Sequence, residues 1–221
     1  MQPQSPIPRV LRTQVNWKEL YFYRKTDVLY QMTVVFCRRF LPAHGDRTVD
    51  QMVQAARSGK QNIVEGCADG VTSTEMQLKL LNVARNSIQE LQEDYRDYLQ
   101  SRFGGLWENG HPRYDAMLRF CRNHNALADY LPFFERWSDE ETANAGYTLC
   151  RMVDKMMSTY IEGLETQFVT QGGIKERMYA ARTGYRREQD ARLAALEEEN
   201  KQLKEENRIQ KATLEKLENP G

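Results

Sequence analysis

Three histidines and four cysteines are the side chains of this sequence best suited to metal binding or nucleophilic catalysis. Cys121 and His124 have the spacing of two ligands on one helical face, but no second Cys/His pair is present to complete a tetrahedral zinc site. The Glu-x-x-His pairs that a di-iron bundle requires are missing at His44, His111 and His124. We therefore predict that the chain holds no metal and no cofactor.

Covalent catalysis would need a nucleophile beside a rigidly held base. The histidines lie in or beside predicted helix breaks, and the sequence contains no glycine elbow and no phosphate-binding loop. Paired carboxylates such as Glu162 and Glu165, or Glu90 and Glu93, are typical of solvated helix surfaces. The sequence therefore predicts a protein that is not an enzyme, with no catalytic residues.

Basic side chains are the second group with a chemical use, since they bind the phosphates of nucleic acids. The whole chain has 31 Lys plus Arg against 31 Asp plus Glu, a formal net charge of +0, but residues 1–65 are clearly basic. A modest patch repeated around an oligomer would multiply its phosphate contacts. The candidate residues for binding RNA or DNA are Arg24, Lys25, Arg38, Arg39, Arg57 and Lys60.

An aromatic segment follows later in the chain and has two interpretations. Its rings are those of Tyr130, Phe133, Phe134 and Trp137. They suit a partner pocket or a platform for stacked bases, or they cap one end of a helical bundle. Only Arg136 supplies a nearby positive charge, which favours the cap.

The elements that must position these side chains are helices, because apolar residues recur at helical spacing in four long stretches. This pattern predicts an all-α, up-down four-helix bundle with a helical insert and a C-terminal parallel coiled coil. We expect a flexible lead-in over residues 1–15 and the bundle over 16–173. The insert would occupy about 104–137 and the helical tail 174–221. Predicted helix starts are Asp46 as an N-cap, and the capping boxes Thr72/Glu75 and Ser138/Glu141.

The tail carries a heptad seam, with steps of three and four that never slip. In a parallel self-pairing the flanking charges attract, through Arg192 with Glu197, Glu199 with Lys204 and Glu206 with Lys211. Asparagine at two core positions favours a parallel dimer in register. The alternative is a single solvated helix. The predicted oligomerisation residues are Leu193, Leu196, Asn200, Leu203, Asn207, Leu214 and Leu217, with Gln210 also in the seam.

The compartment is predicted from apolar runs and cysteines. No stretch is long and apolar enough for a membrane span, so no membrane partner is expected. The cysteines lie singly in apolar helical stretches, as buried reduced thiols do. We expect a cytoplasmic protein.

Two short motifs on consecutive helices carry a family resemblance: AARSGKQNIVEG from Ala55 to Gly66, and ARNSIQEL from Ala84 to Leu91. They resemble the four-helix bundle family of 23S rRNA intervening-sequence proteins and of the accessory variability determinant of diversity-generating retroelements. The resemblance covers about residues 17–100, with Asp139–Gln171 as the expected fourth helix. The insert and tail resemble a variant of the family that has a suffix after the bundle.

The resemblance implies a bacterial bundle assembled from five subunits, whereas the seam suggests two. In the retroelement branch it also implies a basic surface that binds nucleic acid and reverse transcriptase, although this chain has no net charge. Two functions follow: a non-enzymatic homo-oligomeric scaffold or accessory protein in contact with nucleic acid or its enzyme, or a protein–protein adaptor that recruits a partner through the tail or the aromatic insert. The polar motif positions Arg57, Asn62, Glu65, Ser87 and Glu90 are expected to be structural.

Overall fold

The computed structural model describes residues 10–42 and 47–218, and no β-strand occurs within these ranges. A short 3-10 helix at Trp17–Glu19 precedes the first α-helix. The prediction of an all-α helical bundle is confirmed. The α-helices are α1 (Tyr21–Phe40), α2 (Arg47–Asp69), α3 (Thr74–Phe103), α4 (Tyr114–Asn123), α5 (Leu127–Phe134), α6 (Asp139–Gln171) and α7 (Ile174–Glu218).

The chain divides into two compact units. One unit spans Leu11–Ile174 and contains α1 to α6. The other contains α7 from Lys175 onward together with Val10. Most of the lead-in predicted for residues 1–15 lies outside the described residues, and residues 10–15 carry no helix.

The four long helices of the first unit form a closed ring, in which α1 and α3 each pack against both α2 and α6. Tyr98 near the end of α3 donates its hydroxyl to Asp139 Oδ2 at the start of α6, at 3.0 Å. Arg85, which precedes Tyr98 in α3, places its Nε 2.7 Å from Oδ1 of Asp154, which follows Asp139 in α6. The two helices are therefore antiparallel. The insert forms two short helices, α4 against α6 and α5 against α1.

A buried tyrosine links three helices at the centre of this bundle. The Tyr95 hydroxyl of α3 shares a hydrogen bond of 2.9 Å with Thr33 Oγ1 of α1, and its ring lies 5.2 Å from that of Phe36. A Cβ added at Gly146 of α6 would lie only 2.5 Å from Tyr95 Cζ. Glycine is therefore required at position 146, because the ring occupies the space of a side chain.

The helix starts agree in part with the predicted caps. Ser138 Oγ accepts from the Glu141 main-chain N–H at 3.2 Å, and the Glu141 carboxylate accepts from the Ser138 N–H at 3.0 Å, so this capping box is present. The cap of α3 is Ser73 and not Thr72, because Ser73 Oγ accepts from the Met76 N–H at 3.1 Å. Asp46 lies outside the described residues.

Two properties of the described chain bear on its environment. Within residues 10–42 and 47–218, the helices lack the combination of length and apolar character needed to cross a membrane. The four cysteines are buried free thiols at positions Cys37, Cys67, Cys121 and Cys150.

Candidate functional site

The heptad seam of α7 lies on an exposed helix of 45 residues. Asn200 and Asn207 are exposed between the leucines, and Asn200 Nδ2 donates to the Leu196 carbonyl at 3.1 Å. The side chain of Leu217 lies outside the described residues. Described seam leucines are between 46% and 57% exposed, and they are Leu193, Leu196, Leu203 and Leu214.

The part of α7 before the seam has a feature that the sequence analysis missed. Between Lys175 and Arg192 six cations accompany three acids, and Tyr179 and Tyr185 are exposed among them. The tail as a whole is nearly balanced in charge, which concealed this local excess. A separate count of the charges in residues 175–192 would have revealed this basic segment from the sequence. Its cations are Lys175, Arg177, Arg182, Arg186, Arg187 and Arg192.

Lys25 is not on a basic surface, which corrects its assignment as a nucleic-acid contact. Only 1% of the residue is exposed. Its ammonium donates to the main-chain carbonyls of Cys121 and His124 at the end of α4, the latter at 3.0 Å. Burial lowers the pKa of Lys25, while nearby Cys121 acts in the opposite direction. Lys25 therefore anchors the insert to α1.

The arginines of α1 have partners within the protein. Arg24 Nε donates to the Lys18 carbonyl at 2.8 Å. At the other end of α1, Arg38 Nη2 lies 2.8 Å from Glu135 Oε1, and Arg39 Nε lies 3.6 Å from Glu135 Oε2. Arg39 also donates to the Phe134 carbonyl. The contacts of Arg38 and Arg39 connect the end of α1 to the insert, and the Glu135 carboxylate offsets part of their positive charge.

The two nucleic-acid candidates on α2, Arg57 and Lys60, differ in their surroundings. Lys60 Nζ forms an ion pair of 2.5 Å with Asp27 Oδ1 of α1 and lies 5.3 Å from the centroid of the Tyr30 ring. Arg57 is exposed. Because Lys25 is buried and carboxylates lie beside Lys60, Arg38 and Arg39, the six candidates do not form one uncompensated cationic face.

One hydrogen bond between serines of the two sequence motifs joins α2 to α3, and the other polar contacts of the motifs lie within α2. Ser87 Oγ donates to Ser58 Oγ at 3.0 Å, and Asn62 Nδ2 donates to the Ser58 carbonyl at 2.9 Å. Glu65 is exposed and accepts from Gln61 Nε2 at 3.0 Å, while Glu90 is also exposed. Ser58 and Ser87 therefore have a packing role between the helices, whereas Asn62 bonds within its own helix.

Small residues in the first motif allow the same two helices to approach closely. A Cβ added at Gly59 would lie 2.7 Å from Ile88 Cδ1, and one added at Gly66 would lie 3.3 Å from Leu80 Cβ. Both positions are buried. The glycines of the motif are therefore explained by helix packing.

Cys121 and His124 do not form a metal centre with other ligands in the described chain, where no group of three or more potential ligands occurs. Burial raises the pKa of the Cys121 thiol to about 12. A thiol with this pKa is a poor nucleophile near neutral pH, because nucleophilic attack needs the thiolate. His124 Nδ1 lies 2.9 Å from the Phe120 carbonyl, and its ring stacks on that of Phe120.

The rings of the aromatic segment pack chiefly against one another. Phe133 stacks on Trp137 with centroids 5.0 Å apart, and Phe120 meets the edges of both. Tyr130 and Phe134 are buried. The buried rings join the hydrophobic core of the bundle, and their contacts fit the interpretation as a cap better than a stacking platform.

A long groove beside α6 is the main surface that the sequence analysis missed. We call it the α6 groove, with a volume of about 1010 Å³. Met152, Met156 and Tyr160 lie along α6, and Tyr114 and Leu118 of α4 form part of the wall. The sequence showed a wide apolar stripe on α6, but only the position of the insert makes its edge a groove.

Comparison with known proteins gives no further assignment. No protein-family model, curated protein or solved structure matches the chain.

Proposed function

We propose that this protein is a non-enzymatic scaffold in which α7 joins copies of the chain and the bundle recruits a protein partner. The observation that carries the proposal is the exposed heptad seam of α7, whose described leucines are 46% to 57% exposed. An isolated charged helix gains little stability from its backbone alone. Association would bury these leucines, each contributing roughly 1–2 kcal/mol relative to exposure.

The charges beside the seam support pairing with a second copy in parallel. Arg192 would meet Glu197 of that copy, and Glu199 would meet Lys204, so the flanking contacts attract. Asn200 and Asn207 lie at core positions, where each amide bonds its counterpart only when the helices are in register. The three polar core positions weaken the coil but specify its orientation.

The resemblance to a family of oligomeric bundles supports assembly from identical subunits. The packing of the motif residues at the α2–α3 contact leaves the rest of the bundle surface for partners. We also propose a cytoplasmic location, to which the buried free thiols are suited.

An engineered disulfide tests both self-association and orientation. In Asn200→Cys, mild oxidation should yield a covalent species of twice the 25.9 kDa chain mass, because equivalent core positions meet across a parallel pair. Glu205→Cys, on the outer face of the same helix, is the matched control and should remain largely monomeric under denaturing conditions. Equal cross-linking of both variants, or of neither, would refute the parallel seam.

Nucleic acid remains a second candidate because of the basic first part of α7. Parallel pairing would bring two such segments side by side, with Tyr179 and Tyr185 exposed among the cations. In this version the protein is an accessory factor for RNA, DNA or a reverse transcriptase.

A gel-shift series at increasing salt tests this second candidate with duplex RNA and DNA. Replacing Arg186 and Arg187 by Ala should weaken binding and flatten its salt dependence, whereas Lys201→Ala and Arg208→Ala, at positions outside the seam and its flanking charge pairs, should change it less. If the wild type gives no shift near physiological salt, this candidate is eliminated.

A further inference from the structure

The α6 groove has the dimensions of a site for a helix. The residues of α6 that line it run from Tyr147 to Gln167, which is about 30 Å at 1.5 Å per residue. Tyr21 and Phe22 at the start of α1 form part of the opposite wall. The groove lies entirely within the unit Leu11–Ile174.

The surface of the groove is apolar and adaptable along α6. Met152, Met156 and Tyr160 are half-buried and continue the stripe that packs into the core. Methionine side chains adjust to differently shaped apolar partners. At Gly163 an added Cβ would meet nothing within 4 Å, so the backbone is accessible there.

Positive charges flank this apolar surface. Arg122, Arg151 and Lys155 are exposed, and within residues 10–42 and 47–218 their cationic groups have neither an ion pair nor a hydrogen bond. Glu19 is the one carboxylate lining the groove in the described chain, and it accepts a hydrogen bond of 2.9 Å from Asn16. The groove therefore offers uncompensated positive charge to an occupant.

We propose that the α6 groove binds an acidic amphipathic α-helix of a partner protein. Leucine-like side chains of that helix would enter between Met152, Met156 and Tyr160, and its flanking carboxylates would reach Arg122, Arg151 and Lys155. The proposal deepens the scaffold function and rests on it, because it names the chemistry of the recruited partner. The length and open side of the groove favour a helix over a small ligand, since small-molecule sites enclose most of the ligand surface.

The probe is a synthetic, fluorescein-labelled peptide of about 20 residues, long enough to span the groove as a helix. In this peptide Leu recurs at alternating intervals of three and four residues, which places the leucines on one face of the helix, and the other positions are Glu and Ala. A second peptide has Lys in place of every Glu. Fluorescence anisotropy with the full-length protein at low salt should detect the acidic peptide and not the basic one. Added salt should weaken the binding.

Charge reversal locates the binding site. Arg151→Glu combined with Lys155→Glu should weaken binding of the acidic peptide at least about tenfold. The matched control combines Arg57→Glu with Lys79→Glu, two exposed positions on α2 and α3 that do not line the groove, and should leave the affinity within about twofold. Circular dichroism should show that both double variants retain their helix content.

The proposal would be overturned if the acidic peptide did not bind at about 1 mM, if the two peptides bound equally, or if the two double variants had equal effects. Binding of sodium oleate in the absence of peptide would also overturn it, because the groove would then be a site for a fatty acid. A fall in native mass on groove charge reversal would also overturn it, because the groove would then join copies of this chain. Repeating the titration with Leu196→Ala and Leu203→Ala separates the two proposals. Self-association that persists in the doubly substituted protein would refute the α7 scaffold, whereas loss of its peptide binding would refute a site within the groove.

Discussion

Lys25 Nζ of α1 donates a hydrogen bond of 3.0 Å to the main-chain carbonyl of His124, just beyond the end of α4. The same ammonium donates to the Cys121 carbonyl, and the Tyr130 hydroxyl donates to the His124 carbonyl at 3.1 Å. A cation is favourable at a helix C-terminus, where carbonyls lack helical partners. These contacts fix α4 beside the bundle, and α4 forms one wall of the α6 groove.

Lys25→Ala should destabilise the protein by about 2–4 kcal/mol, because it removes a buried side chain and its hydrogen bond to the Cys121 carbonyl, and leaves the His124 carbonyl with the Tyr130 hydroxyl as its remaining side-chain donor. Urea unfolding followed by circular dichroism measures this change in the free energy of unfolding. Lys79→Ala on the exposed face of α3 is the control, with an expected change within about 0.5 kcal/mol. Similar small effects of both substitutions would show that Lys25 does not anchor the insert.

The stability contribution of Lys25 should depend on pH. Burial lowers its folded-state pKa below the ordinary value of 10.5, so the unfolded chain retains the proton to higher pH. Between the lowered pKa and 10.5, unfolding takes up a proton, and stability therefore rises with pH. We expect the free energy of unfolding of the wild type relative to Lys25→Met to increase as pH rises through this window.

Urea titrations of both proteins at several pH values up to about 10 make the comparison. Using the difference between the two proteins cancels the titration of the tyrosines and cysteines that do not interact with Lys25. A difference that falls with pH would contradict the lowered pKa.

Gly146→Ala should destabilise the bundle by about 1–3 kcal/mol, because the new Cβ would lie 2.5 Å from Tyr95 Cζ. Gly163→Ala in the same helix is a matched control, since nothing lies within 4 Å of its added Cβ. The control should stabilise α6 by about 0.5–1 kcal/mol through helix propensity. Thermal unfolding of the two variants should therefore shift in opposite directions, and a shared direction would contradict the close approach of α6 to Tyr95.

Asn200→Leu combined with Asn207→Leu should strengthen self-association and relax its specificity, because the polar core positions would become apolar. Sedimentation equilibrium should report tighter association and species larger than those of the wild type. Weaker association would mean that these asparagines do not lie in a coiled-coil core.

The elements with local signals were predictable from the sequence. α6 runs from Asp139 to Gln171 as the apolar stripe and the Ser138/Glu141 box indicated, and Gly172 ends it with φ of 70°. The α3 cap was placed one residue early, at Thr72, because Thr72 and Ser73 both fit an N-cap and only the Ser73–Met76 contact distinguishes them.

The surfaces were less predictable, because they depend on contacts distant in the sequence. The sequence does not distinguish buried Lys25 from its exposed neighbour Arg24, because the two carbonyls that accept from Lys25 lie at the end of α4, far along the chain. The α6 groove likewise requires α4 and the start of α1 to lie beside α6. The seam of α7 was visible from its repeat alone, but its partner remains a prediction, because one chain presents only half of such an interface.

Native mass spectrometry of the full-length protein is the most direct test of assembly through α7. We predict a discrete multiple of the 25.9 kDa chain mass, two copies by the seam or five by the family resemblance, with dissociation on combining Leu196→Ala and Leu203→Ala. Ile209→Ala removes a similarly exposed apolar side chain outside the seam and should leave the mass unchanged. A wild-type protein that remains at 25.9 kDa across accessible concentrations, or an oligomer indifferent to the two leucine substitutions, would contradict the account.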